Sequence, residues 1–162
     1  MTEAEFLPLF DQYHDMVYRL ALSYTRSPQD AEDLVQTVFL KLLDGKLLPG
    51  AGKERAWLIQ VTVNACKDLL RSAWRKRTAP LDETIPFSHP EEGDLFTAVM
   101  ALPEKYRVVI HLHYYEGYTF QEIAHFLHTS SSAVSMRLHR ARKLLRSSLQ
   151  EVNYGQLIPK DL

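Results

Sequence analysis

The sequence predicts an all-α protein, made of two small helical domains joined by a flexible acidic linker. Apolar residues recur at alternating spacings of three and four, which places each set on one side of a helix. No stretch shows the strict alternation of a half-buried strand. Residues 78–93 hold three prolines, one glycine, four acids and no base, without a helical period. We therefore expect a domain at 1–77, a linker at 78–93, a second domain at 94–150 and a tail at 151–162.

Three helices are expected in the first domain. The apolar stripe of the first consists of Phe6, Phe10, Tyr13, Val17, Leu20 and Tyr24. Ser27 caps the second helix, Pro28 suits its first position, and Gly45 ends it. Its stripe consists of Ala31, Leu34, Val35, Val38 and Leu42. The third helix runs from about Glu54 to about Arg77, with a stripe of Trp57, Leu58, Val61, Ala65 and Leu69.

The second domain contains a helix-turn-helix pattern. A short helix ended by Pro103 and another reaching Gly117 precede it. Residues 119–122 (TFQE) form a capping box ahead of a short helix over 119–127. The turn is 128–130, and Ser130 or Ser131 caps a longer basic helix whose buried stripe is Val134, Leu138, Ala141, Leu145 and Leu149. His128 stands where such turns most often carry glycine, and a positive φ there costs of order 1 kcal/mol.

This pattern has two readings. A helix-turn-helix places its second helix in the DNA major groove, whereas an αα-hairpin is an ordinary part of a helical bundle. The basic residues cluster on the second helix itself, which favours DNA binding.

Charge is unevenly distributed along the 162 residues, although the net charge is only −1. Residues 53–79 and 105–150 each carry seven Lys/Arg against two Asp/Glu, and residues 80–104 carry six acids and no Lys or Arg. Two basic blocks separated by an acidic one are expected where a chain contacts phosphates at two places; the alternative is that each block is a solvated helix face.

Several classes of protein are not expected. No apolar run approaches the ~20 residues of a membrane span and the N-terminus is acidic, which favours a cytoplasmic protein. The single Cys66 forms no internal disulfide, and the histidines lack the partners of a tetrahedral metal site. No phosphate-binding loop, nucleophile elbow or paired carboxylates are present, so neither an enzyme nor a cofactor is expected.

Two sets of motifs resemble a known family. The second half of the chain resembles region 4 of bacterial sigma factors. The matching positions are residues 101–103 (ALP), Arg107, residues 117–124 (GYTFQEIA) and residues 137–142 (RLHRAR). Residues 30–40 (DAEDLVQTVFL) resemble region 2.2, and residues 57–59 with 63–68 resemble regions 2.3 and 2.4. The order and length are similar to the extracytoplasmic-function (ECF) class. The resemblance implies that core RNA polymerase (its β′ clamp and β flap), promoter DNA and an anti-sigma factor are partners, and implies no membrane contact.

The resemblance also implies three binding surfaces. The second helix would bind the β′ clamp through Asp33, Gln36, Thr37, Phe39 and Leu40. The third would open and read the −10 element through Trp57, Asn64, Lys67, Arg71 and Arg75. The recognition helix would read the −35 element through Ser132, Ser135, Met136, His139 and Arg140, with Lys143 on phosphate.

The residues themselves leave alternatives open. Phe39 and Leu40 lie off the buried stripe, as a partner surface requires, but Phe39 is also placed to pack on the first helix. Trp57 is suited to base stacking or to core packing. Lys67, Arg71 and Arg75 recur every four residues and form a basic edge. For the whole chain, the alternatives are a self-sufficient helix-turn-helix regulator, with 1–77 as a sensor or dimerisation domain, and a bundle that binds an acidic protein.

Overall fold

A computed structural model describes residues 1–45, 50, 52–76 and 93–151. Regular structure within these ranges is entirely helical, which confirms the predicted all-α class. The chain divides into two compact units, Met1–Ile85 and Pro86–Leu162. Residues 78–92 of the expected linker and the tail after residue 151 lie outside the described ranges.

The first unit contains α1 (Glu3–Thr25), α2 (Pro28–Asp44) and α3 (Glu54–Lys76). Each of these helices packs against the other two. The Ser27 side chain accepts a hydrogen bond from the Asp30 backbone N–H, and Pro28 occupies the first turn of α2, as predicted. Gly45 ends α2 in the left-handed conformation with φ 69°, which a side chain would strain.

The core of the first unit follows the predicted stripe of α2 throughout and that of α1 at Val17, Leu20 and Tyr24. The earlier members of the α1 stripe, Phe6, Phe10 and Tyr13, are half-buried, and the stripe of α3 is displaced. On α3 the most buried side chains are Leu58, Ile59, Val63 and Cys66. Trp57, Val61 and Leu69, which the periodicity placed in the stripe, are half-buried. Because α3 packs against both α1 and α2, its buried surface is wider than one stripe.

The second unit contains α4 (Gly93–Met100), α5 (Glu104–Ile110), a π-helical turn (His111–Tyr115), α6 (Phe120–Leu127) and α7 (Ser131–Glu151). Apolar periodicity predicted a single helix up to Gly117. Instead the Glu116 N–H donates to the His111 carbonyl at 3.1 Å, five residues back, and the helix widens there. A difference of one residue in the hydrogen-bond register leaves no trace in apolar spacing.

A buried polar cluster closes the corner around this turn. The Arg107 side chain is only 4% exposed, and its Nη1 donates to the Leu102 carbonyl at 2.6 Å. The His111 Nε2 lies 3.2 Å from a Glu116 Oε1, and both side chains are buried. Buried groups of this kind are retained only where partners offset their lost hydration.

The turn between α6 and α7 contains a non-glycine residue in the left-handed region. His128 has φ 54° and ψ 48°. The His128 N–H donates to the His125 carbonyl and the Thr129 N–H to the Ala124 carbonyl, the two bonds of a Schellman motif. This geometry fixes the direction in which the chain leaves α6.

We therefore expect His128→Gly to stabilise the second unit. Left-handed backbone costs an L-residue about 1 kcal/mol that glycine avoids, so thermal unfolding followed by circular dichroism should shift upwards. The matched control is His125→Gly, in the last turn of α6, where loss of helix propensity should lower stability by about 1 kcal/mol. A His128→Gly variant that is destabilised like the control contradicts the expectation.

Candidate functional sites

The local sequence of the second unit positions α7 on α6. The Thr119 side chain accepts from the Glu122 N–H while the Glu122 carboxylate accepts from the Thr119 N–H, which completes the predicted capping box. The Ser130 hydroxyl oxygen accepts from the Ala133 N–H at 3.1 Å, so Ser130 caps α7. The side chains buried between the helices and the rest of the unit include Ile123, Ala124, Val134, Leu138, Ala141 and Leu145. The opposite face of α7 is thereby held towards solvent.

That face of α7 borders an open groove. Four predicted −35 contacts, Ser132, Ser135, Met136 and His139, line it together. They are spaced three, one and three residues apart, which places them on one side of the helix. All four side chains are exposed. The arrangement presents hydroxyls, a thioether and an imidazole at the N-terminal half of a helix.

The remaining predicted −35 residues lie beside the groove. Arg140 and Lys143 are exposed on α7 but do not line it. Four further residues line it that were not among the predicted −35 contacts: Phe120, Gln121, Ser131 and Arg142. Phe120 and Gln121 form the first turn of α6, immediately after the Thr119 cap, and this position next to the capping box was the available signal.

The outer side of α2 carries the predicted polymerase contacts. Asp33, Gln36, Thr37 and Leu40 are all exposed. Leu40 is 63% exposed, more than any other large apolar side chain in the described residues. The Thr37 hydroxyl donates to the Asp33 carbonyl within the helix, at 3.1 Å. Leu43, one turn further along α2, is also exposed, and a group of exposed apolar side chains is what a partner surface covers.

Phe39 is not part of this outer side. It is 3% exposed, and its ring centroid lies 4.9 Å from that of Phe10 and 6.1 Å from that of Phe6. The alternative, that Phe39 packs on the first helix, is the one the structure shows. The physical reason is that the aromatic side chains of α1 extend the core beyond the aliphatic stripe of α2.

A shallow groove between α1 and α2 adjoins Gln36. It is also lined by Phe10, His14, Tyr18 and Glu32, among others. Burial, and then the negative charge of Glu32, raise the pKa of the Tyr18 phenol. A phenol is protonated at neutral pH with or without this shift, so Tyr18 is available there as a hydrogen-bond donor.

The predicted −10 surface lies along α3. Asn64 is exposed, and its side-chain oxygen accepts from Gln60 Nε2 at 3.1 Å. Arg71 is exposed and lies 3.8 Å from Asp68, while Lys67 is half-buried. Trp57 is half-buried, a position compatible with either of its expected roles. The side chain of Arg75 lies outside the described residues.

Neither a cluster of metal ligands nor a membrane-spanning helix is present among the described residues. Within them, no group of three or more His, Cys, Asp or Glu side chains is placed to hold a metal ion. Cys66 is buried as a free thiol. Among the helices in these ranges, none has the length and apolar content needed to cross a membrane.

Comparison with known families agrees with this geometry. The Sigma-70 region 2 family matches residues 9–76, and the Sigma-70 region 4 family matches residues 93–145. SigL of Mycobacterium tuberculosis (strain ATCC 25618 / H37Rv), an ECF RNA polymerase sigma factor, is 33% identical over 156 residues, covering 89% of this chain and 88% of SigL. This chain belongs to the ECF RNA polymerase sigma factors. The resemblance noted in the sequence is thereby confirmed.

Further relatives extend over most of this ECF sigma factor. The RNA polymerase sigma factor SigV of Bacillus subtilis (strain 168) is 31% identical over 155 residues, covering 91% of this chain and 93% of SigV. Among solved structures, the sigma factor RpoE from Bartonella quintana, in complex with the anti-sigma factor NepR, has a TM-score of 0.74 at 21% identity and covers 90% of this chain and 97% of its own. CnrH, in complex with the cytosolic domain of CnrY, has a TM-score of 0.60 at 26% identity, covering 94% and 91%.

Membership of this family settles the general function. An ECF sigma factor binds core RNA polymerase, directs it to promoters and starts transcription there. Core RNA polymerase and promoter DNA are therefore partners of the chain, as the resemblance implied.

Proposed function

We propose that this sigma factor binds the β′ clamp through the outer side of α2, reads the −10 element with α3 and reads the −35 element with α7. The observation that carries the proposal is the groove along α7. Four predicted contacts that line it, Ser132, Ser135, Met136 and His139, are open to solvent, while Val134 and Leu138 on the opposite face are buried. A recognition helix needs this division between a packed side and a side free for base edges.

The basic side chains of α7 support the same role. The helix carries five positively charged side chains and one negatively charged side chain, Glu151. The positive ones are Arg137, Arg140, Arg142, Lys143 and Arg146. Arg140 and Lys143 are exposed beside the groove, where Arg140 is placed to reach a base and Lys143 to contact a phosphate of the duplex. Phosphate contacts position a protein on DNA, and base contacts then supply the specificity.

On α3, the proposed −10 contacts fall into two kinds. Asn64 offers an amide that both donates and accepts, which suits contact with a base. Lys67 and Arg71 follow one and two turns later and are placed to contact the backbone. Trp57 supports strand separation to the extent that its exposed part stacks on a base.

The proposal has further parts. The protein acts in the cytoplasm, where RNA polymerase is found, has no catalytic activity of its own, and also contacts the polymerase β flap.

An anti-sigma factor holds it inactive; the support is that the similar RpoE of Bartonella quintana was solved in complex with the anti-sigma factor NepR.

The deciding experiment measures binding of the full chain to promoter-length DNA by fluorescence anisotropy, with and without bacterial core RNA polymerase. Sequence-specific binding that requires core polymerase is the expected result. Tight specific binding without core polymerase would instead support the autonomous regulator, and would remove the assignment of Asp33, Gln36, Thr37 and Leu40 to a polymerase surface.

Arg140→Ala is expected to separate DNA binding from polymerase binding. Loss of one exposed guanidinium beside the groove should weaken promoter binding by the assembled holoenzyme by about 1–3 kcal/mol if it contacts a base. Assembly with core polymerase, measured separately, should be unchanged. Lys105→Ala removes an exposed cation of α5 and serves as the control. Equal loss of promoter binding and core assembly in Arg140→Ala would contradict the assignment.

A further inference from the structure

The chemistry of the α7 groove restricts how it reads bases. Bidentate recognition of guanine uses Arg or Lys, and that of adenine uses Asn or Gln. The four predicted contacts among the lining residues, Ser132, Ser135, Met136 and His139, hold none of these. Side chains of the bidentate types line the groove only outside this set, as Gln121 of α6 and the half-buried Arg142 of α7. Serine hydroxyls bond to several bases and discriminate weakly between them. Selectivity at these positions must therefore come substantially from another kind of contact.

Met136 is the unusual member of the set. Its side chain is 53% exposed, near the middle of the groove-lining positions of α7, and Phe120 provides a second apolar side chain in the same groove. A thioether gains nothing from phosphate charge and is only a weak hydrogen-bond acceptor. Its favourable interaction is burial against another apolar group.

We propose that Met136 recognises thymine through its C5-methyl group, so that this sigma factor selects a thymine within the −35 duplex. The methyl group is the one apolar substituent that the four bases present at the major-groove edge. Methionine is unbranched and flexible, and therefore adapts to a methyl group at this distance from the helix. The inference rests on the proposed docking of α7 at the −35 element and adds the chemical group that is read there.

The first step of the test obtains the DNA. Holoenzyme made from the full chain and core polymerase selects from duplexes randomised at both promoter elements. Enrichment of a −35 sequence that contains thymine is expected. No enrichment at the −35 region, with core assembly intact, would overturn the proposed role of α7. An enriched −35 sequence without thymine on either strand would overturn the present inference and leave that role standing.

The second step removes the methyl group alone. Each −35 thymine of the selected duplex is replaced in turn with deoxyuridine, and holoenzyme affinity is measured for the wild type and for Met136→Ala. At one position the wild type should lose about fourfold, equivalent to the ~0.8 kcal/mol of one buried methyl-sized group. The Met136→Ala holoenzyme should bind the thymine and deoxyuridine duplexes equally at that position.

The control is Leu144→Ala, which truncates an exposed apolar side chain of the same helix that does not line the groove. It should keep the wild-type response to deoxyuridine. Absence of a deoxyuridine effect in the wild type, or the same effect in wild type and Met136→Ala, would overturn the inference. Because Met136 is exposed, its truncation leaves the core intact, and circular dichroism verifies this.

Discussion

Leu40→Asp is expected to abolish assembly with core RNA polymerase at concentrations where the wild type is fully bound. Leu40 is 63% exposed and lies one helical turn from Gln36 and Thr37 on the outer side of α2. A carboxylate at the centre of a protein interface must lose hydration without a partner, which costs several kcal/mol. We expect the dissociation constant for core polymerase, measured by competition with a fluorescent wild-type chain, to rise at least about thirtyfold, or ~2 kcal/mol.

Two variants separate a binding defect from a folding defect. Leu7→Asp places the same charge on α1 at a side chain that is 46% exposed, outside the proposed surface, and should assemble normally. Phe39→Ala should instead destabilise the first unit by about 3–5 kcal/mol, because Phe39 is buried against Phe6 and Phe10. If Leu40→Asp assembles as well as Leu7→Asp does, the outer side of α2 is not the polymerase surface.

Arg107→Ala is expected to unfold the second unit while leaving the first unit folded. The substitution removes a buried guanidinium and deprives the Leu102 carbonyl of its 2.6 Å hydrogen bond at the corner before Pro103. The loss of a charge-assisted hydrogen bond to a buried carbonyl costs about 1.5–3 kcal/mol, and truncation of the buried side chain adds the cost of a cavity. Together these approach the total stability of a small domain.

The position of the tryptophans makes this result measurable. Trp57 and Trp74 are the only two in the sequence, and both belong to the first unit. Tryptophan fluorescence during thermal unfolding should therefore be unchanged in Arg107→Ala, whereas the helical signal in circular dichroism should fall and melt earlier. Arg140→Ala, which removes an exposed arginine of the same unit, should change neither signal. A coincident shift of both signals in Arg107→Ala would mean that the units unfold together.

Sequence reasoning succeeded where a local rule determines the structure. The Ser27 and Ser130 caps, the Thr119 capping box and the ends of α2 depend on side chains within a few residues of one another, and these predictions are confirmed. The stripe of α2 and the second half of the stripe of α1 were equally predictable, because a helix packed along one side shows a clear period of 3.6.

The structure differs from the sequence predictions where packing between residues distant in the sequence determines which side chains are buried. The ring of Phe39 is buried by side chains more than 25 positions away on α1, and the wide buried surface of α3 depends on contact with two helices. The π-helical turn at His111–Tyr115 is accompanied by a buried Glu116 beside His111, which apolar periodicity does not encode. Of the residues that line the α7 groove, six belong to α7 itself and four of these were predicted, whereas Phe120 and Gln121 come from the neighbouring helix α6.

The side chains that line the α7 groove are mostly peripheral to the core, and this has an evolutionary consequence. Substitutions at exposed positions such as Ser132, Ser135 and His139 typically alter stability by less than about 0.5 kcal/mol. If α7 reads the −35 element as proposed, descendants of this gene are free to exchange these residues, and with them the promoters that are recognised, without destabilising the fold. Phe39 has no such freedom, because its buried ring packs against Phe6 and Phe10 and holds α2 on α1. Under the proposed roles of α7 and α2, the set of genes that this sigma factor controls is thus able to change while its binding to RNA polymerase is preserved.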